Sequence, residues 1–190
     1  MSTATTGALT MRRISVATLA TLTSVAAAVA LPQVFHLAGS ALGVGVALGQ
    51  TFLPMHLPVL LVGFLAGPTV GLLSGLLAPV VSHLTTGMPM LPILPLMVIE
   101  LGAYGLVAGL LRSARLNPLA KIILAQVAGR AVRALALVVS VGLLSNETVA
   151  LSTIWTSIAD GLPGLALQWV VIPAVLVAVG RASRREGRLG

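Results

Sequence analysis

Ionisable side chains are so scarce in the middle of this chain that each one raises a chemical question. Between Arg13 and Arg112 the single formally charged residue is Glu100. Arg130 and Arg133 then interrupt the next apolar run, and Gln126 stands four residues before Arg130. Residues three and four apart share a helix face, so Gln126, Arg130 and Arg133 line up on one side. A carboxylate facing guanidinium groups in apolar surroundings can lock two helices as a buried ion pair. It can also carry a proton, or stand beside a guanidinium that receives an anionic ligand through its planar fork. One Glu against two Arg is what a lock alone does not explain. With one pair satisfied, one guanidinium is left over and needs water or an anion.

The other polar candidates are weaker. His56 opens an apolar run, His83 closes another, and His36 lies in a Gly-rich stretch. They lack metal-ligand spacing and have no carboxylate near them in sequence, so no metal site is expected. His56 is expected as a polar contact in an outward-facing pocket, with a neutral, satisfied ring as the alternative. Tyr104, Trp155 and Trp169 are candidates for stacking on a substrate, and Gln168 for a polar contact with it. For Trp155 the alternative is an anchor at the membrane interface. No phosphate loop, nucleophile elbow or HExxH motif is present, so neither an ATPase, a catalytic residue nor a cofactor is expected. Cys is absent, which excludes disulfides and thiolate sites.

These residues sit in a chain of 190 residues that is 57% hydrophobic and only 8% charged. Soluble domains carry roughly 25% charged residues. The composition predicts an all-α integral membrane protein, a six-helix transmembrane bundle without a separate soluble domain. Residues 1–13 read as a disordered N-terminus, 14–180 as the transmembrane domain and 181–190 as a basic tail. Arg12 and Arg13 before an apolar run imitate a secretory signal, but the run is long and more spans follow, so it reads as a retained first helix. The spans are placed at about 14–31, 54–66, 69–86, 93–111, 119–144 and 164–179. Residues 33–53, rich in Gly, fit no single element, and 145–163 reads as a long loop with a short helix around Trp155.

The net charge of +7 is concentrated in nine of the eleven basic residues at the N-terminus, the C-terminus and the segment 112–121. Six spans bring these three places to one side, while the opposite loops carry Glu147 and Asp160. The positive-inside rule then makes both termini cytoplasmic, and this distribution argues for a multi-pass protein rather than a nucleic-acid partner. At 1.5 Å of rise per residue, Glu100 lies roughly 18 Å from the cytoplasmic end of its span, and Arg133 at about the same depth in the next. The two spans should be antiparallel neighbours. Glu100 is expected to meet Arg133, or Arg130 if the helices are offset.

Three pieces of sequence carry a family resemblance: LPVLLVGFLAGPTVG from Leu57 to Gly71, the GMP loop at Gly87–Pro89, and ELGAYGLVAGLL from Glu100 to Leu111, followed by Gly129-Arg130. Together they resemble the substrate-binding S components of energy-coupling factor (ECF) vitamin transporters, and PMHLPVLL with TGMP looks most like the pantothenate-type members. The resemblance implies a bacterial inner-membrane protein that captures a scarce vitamin and delivers it by docking on a transmembrane coupling subunit energised by two ATPase subunits. It also implies a docking face of small residues on the first helix, here Ala17, Ala20, Thr21 and Ser24, for which ordinary packing within the bundle is the alternative. The cavity would be covered by loops 40–56, 87–92 and 145–163. His56, Glu100, Tyr104, Arg130, Arg133, Trp155 and Gln168 are then the candidate substrate-binding residues. Cobalamin, folate and riboflavin members share the fold, so the vitamin stays open. A proton-coupled carrier using Glu100 and an intramembrane enzyme using Glu100 and His83 are the competing classes.

Overall fold

The computed structural model describes residues 2–144 and 150–189, so Glu147, counted above among the outer acids, lies outside the described residues. The described residues form α1 (Ser2–Ala41), α2 (Ala47–Phe52), α3 (His56–Ala66), α4 (Pro68–Thr86), α5 (Leu94–Leu110) with a 3₁₀ turn at Leu111–Ser113, α6 (Pro118–Leu144), α7 (Thr153–Asp160) and α8 (Leu162–Leu189). Six segments are long and apolar enough to cross a membrane, with α2 and α3 together forming the second. The bundle is all-α, as lipid demands of a chain that must satisfy its own backbone groups.

The structure departs from the sequence reading at the first helix. Pro32 was expected to end it, yet α1 continues through Pro32 to Ala41. Transmembrane helices tolerate such a residue because neighbours and local adjustment satisfy the freed backbone groups. Pro79 in α4 and Pro173 in α8 are accommodated in the same way. Helix α1 also begins at Ser2, and so includes the residues for which disorder was expected. The ambiguous stretch 33–53 resolves into the last turns of α1 and the short α2. The two are clasped by the Phe35 and Phe52 rings, whose centroids lie 5.5 Å apart. Between α2 and α3 the chain turns at Leu53, which is left-handed at φ 48. A side chain in that region costs about 1–3 kcal/mol and persists only when the surroundings hold it.

The centre of the fold is a close block of α3, α4 and α5. Gly71 of α4 and Gly105 of α5 lie backbone to backbone, and a Cβ on either would strike the other's carbonyl. Gly75 meets the Leu101 carbonyl in the same way, and Gly109 abuts Pro68. Small residues four apart allow this approach, and in lipid such packing replaces the missing hydrophobic drive between helices. Against this block α6 places Gly129 over the Tyr104 ring, where an added Cβ would lie 2.9 Å from ring carbons. Arg130 and Arg133 follow directly on that face.

Helix α1 packs on α3 and α4. Its small residues do part of that packing, which corrects the expected docking face at two positions. Thr21 and Ser24 are buried within the bundle, and the Ser24 hydroxyl donates to the Pro58 carbonyl at 3.2 Å. Side chains enclosed by their own chain are not free to meet a partner. Ala17 and Ala20 are half-buried.

The glycine contacts set an expectation for stability. Gly105→Ala should cost about 1–3 kcal/mol, the usual penalty of overpacking, and lower the thermal unfolding midpoint in detergent. Gly142→Ala, which meets nothing within 4 Å, should be neutral or slightly stabilising under the same measurement.

Candidate functional site

Glu100 is fully buried on α5, and α6 presents both of its arginines to it. Arg133 Nη1 donates to Glu100 Oε2 at 2.7 Å, and Arg130 Nη1 lies 3.2 Å from Oε1. His56 Nε2, from the start of α3, stands 3.9 Å from the same Oε1. The register therefore sets Glu100 between the two arginines, one guanidinium on each oxygen. The expectation of one paired and one leftover arginine is corrected accordingly. What remains over is a unit of positive charge, two guanidinium groups less one carboxylate, together with one edge of Arg130.

That edge is unused. Arg130 Nε and Nη2 are buried and have no hydrogen-bond partner among the described residues. Its Nη1 side is occupied by Glu100 and, at 3.5 Å, by the Ser157 hydroxyl of α7. Nε–H and the adjacent Nη2–H point in parallel, the geometry that a carboxylate accepts with both oxygens. Both His56 ring nitrogens and the Tyr104 hydroxyl are likewise buried without partners, the His56 ring standing edge-on to Tyr104 at a centroid distance of 5.1 Å. Buried polar atoms are satisfied in the great majority of cases, so orphans gathered at one place mark where a ligand or water belongs.

Above this cluster lies a cavity of about 310 Å³. His56, Arg130 and Arg133 form its polar inner part. Met55, Met88, Met90, Met97, Leu53 and Ile93 supply an aliphatic and thioether wall. Gln33, His36 and Gln50 from the α1–α2 side, with Ser157 and Asp160 from α7, add polar groups. Among the described residues no Phe, Tyr or Trp belongs to this lining. The lining loops lie at the start of α5, opposite the basic turn between α5 and α6. Asp160 opposes the net positive charge, but it is exposed, where water screens it, whereas the arginine side chains are only 12% and 14% exposed.

The remaining sequence candidates fall elsewhere. Glu100 and Tyr104 are buried behind the lining and support it from beneath. Gln168 belongs to a separate polar chain between α6 and α8. Gln126 Nε2 donates to its Oε1 at 3.0 Å, and Trp169 Nε1 donates to Gln126 Oε1 at 2.7 Å. Neither Gln168, Trp169 nor Trp155 lines the cavity, and Trp155, 75% exposed, suits the interfacial anchor better than a stacking role. Ser82 and the methionines were missed. A signal for the methionines was present: every Met after residue 11 lines this cavity. Among the described residues no cluster of three or more His, Cys, Asp or Glu could hold a metal ion.

The ion cluster should behave as a unit. Glu100→Gln leaves two guanidinium groups without their shared counter-charge and should destabilise the protein by about 3–5 kcal/mol. Glu100→Gln combined with Arg133→Gln should recover part of that loss, read as unfolding midpoints in one detergent.

The chain matches a protein-family model. The model described as "ECF transporter, substrate-specific component" covers residues 14–180. No curated protein and no solved structure matches the chain. Six apolar segments and a cavity beside unpaired polar groups suit a membrane-embedded, non-catalytic subunit. The chain belongs to the family of substrate-specific components of ECF transporters, whose members dock with a transmembrane coupling subunit and ATPase subunits.

Proposed function

We propose that this protein captures a small acyclic vitamin carboxylate, with pantothenate the best fit, from the outer side of a bacterial inner membrane. Delivery follows docking on the coupling subunit, with both termini cytoplasmic and the half-buried Ala17 and Ala20 part of the docking side of α1. The observation that carries the substrate class is the free Nε/Nη2 edge of Arg130 beside the cavity. A carboxylate placed there satisfies two orphan donors and the residual positive charge together. His56, which lines the cavity, offers a further donor or acceptor for hydroxyl or amide groups.

The wall narrows the choice. A volume of about 310 Å³ is at the small end for ligand sites. The corrin ring of cobalamin is far too large for it. Riboflavin and folate present flat fused rings, which call for aromatic partners that this lining lacks. A flexible chain with methyl branches, hydroxyls and one carboxylate matches methionine and aliphatic walls, since Met adapts to irregular shapes. The proton-coupled carrier is disfavoured by the same cluster: each oxygen of Glu100 already faces a guanidinium group of the chain's own α6.

Calorimetry on the purified protein tests the reading. Pantothenate should bind, and its alcohol analogue, with CH₂OH in place of the carboxylate, should bind roughly two to three decades more weakly. Arg130→Ala should weaken pantothenate by a similar factor and abolish the discrimination between the two ligands. Equal binding of both by the unsubstituted protein would overturn the carboxylate assignment. In proteoliposomes, uptake should need the ATPase module; uptake driven by a proton gradient alone would overturn the proposed transport mode.

A further inference from the structure

The loop Gly87–Pro92 supplies Met88, Pro89 and Met90 to the cavity, and its attachment to the end of α4 is unusually complete. Gly87, left-handed at φ 74, ends the helix by donating its N–H to the His83 carbonyl at 2.9 Å. The Thr86 hydroxyl donates to the Ser82 carbonyl at 2.8 Å and accepts the Met88 N–H at 3.2 Å. At the far end, the Ile93 and Leu94 N–H groups both donate to the Met90 carbonyl. The Thr86 hydroxyl also lies 3.4 Å from the Met88 carbonyl; these bonds cap α4 and start α5, and beyond Met88 the loop is held by a further side chain. His83 Nδ1 lies 2.8 Å from the carbonyl of Pro89, which is itself buried.

That bond has a definite polarity. Proline has no N–H and its carbonyl can only accept, so His83 Nδ1 carries the proton. His83 is not part of the cavity lining and is hydrogen-bonded to it through this carbonyl. The helix end is already closed by Gly87 and Thr86, so the imidazole is not needed as a cap.

We infer that His83 is a positioning residue for ligand retention, holding Met88, Pro89 and Met90 against the cavity through its Nδ1–H bond to Pro89. This rests on the cavity being the vitamin site proposed above. The side-chain amide of Asn places its nitrogen where Nδ1 lies, whereas that of Gln reaches toward the Nε2 position. Asn at position 83 should therefore restore the tie and Gln should not.

The test uses two readouts. Because the chain has no Cys, Leu91→Cys gives a single spin-label site on the loop, 67% exposed and outside the cavity lining. Adding His83→Ala should increase the mobile component of the label's spectrum and raise the dissociation rate of radiolabelled pantothenate roughly tenfold, the scale of one lost hydrogen bond. His83→Asn should return both toward the unsubstituted values, and His83→Gln should resemble His83→Ala. Unchanged label mobility and dissociation rate in His83→Ala would overturn the inference, as would a mobile loop with an unchanged dissociation rate, or equal rescue by Asn and Gln. If the unsubstituted protein binds no pantothenate, the substrate reading fails, while the label mobility still decides whether His83 holds the loop.

Discussion

A carboxylate shared by two guanidinium groups inside an apolar bundle is the constraint around which this protein is arranged. Each charge alone would be costly in lipid, by several kcal/mol even on the less severe scales. Together, Arg133 and Arg130 on the two oxygens of Glu100 leave a cluster that is compensated except for one unit of charge. That arrangement tolerates little error. It requires α5 and α6 to be antiparallel, in a register that sets Glu100 between residues 130 and 133, and at a separation that the Tyr104–Gly129 contact helps to fix. The glycine contacts of α4 and α5 act one step further back, since they hold α5 rigid against its other neighbour.

The same arrangement produces a binding surface as a by-product of its stoichiometry. A one-to-one pair could be buried and forgotten. The second arginine leaves charge and an unpaired donor edge on a residue that lines the cavity. Polar groups that the fold itself does not satisfy thus converge at the inner end of a site whose walls are aliphatic. The walls follow another logic, since they come from loops and helix ends, where methionines adapt to a ligand's shape. In the proposed capture role the cluster would specify charge and the loops size, and the bond from His83 to Pro89 would serve the second task.

Much of this was legible in the residues. The absence of charge over the central spans, the distribution of arginines and lysines, and turn signals such as Gly67-Pro68 located six crossings, the last four closely and the first two too short, because lipid permits few alternatives. Depth arithmetic along two neighbouring helices brought Glu100 level with Arg133, with Arg130 within reach only if the helices were offset. Pro32 misled, since a rule learned from exposed helices marks it as a stop, and a membrane helix runs through it to Ala41. Thr21 and Ser24 misled as well: small residues four apart signal close approach without saying whether the neighbour is the chain's own α3 or another subunit.

The sequence by itself determined the class of molecule, the crossings and the identity of the buried charges, because these follow from the energy of single residues in lipid and from helical rise. The tertiary structure alone decided that both arginines, rather than one, bind Glu100, and that the free edge of Arg130 is the Nε/Nη2 pair. It also decided that Gln168 and the tryptophans stand apart from the cavity, while methionines from the turn before α3, from α5 and from the loop after α4 meet around it. Those outcomes depend on helix rotation and offset by fractions of a turn. Side-chain packing sets these, and no pattern along one strand of sequence encodes them separately.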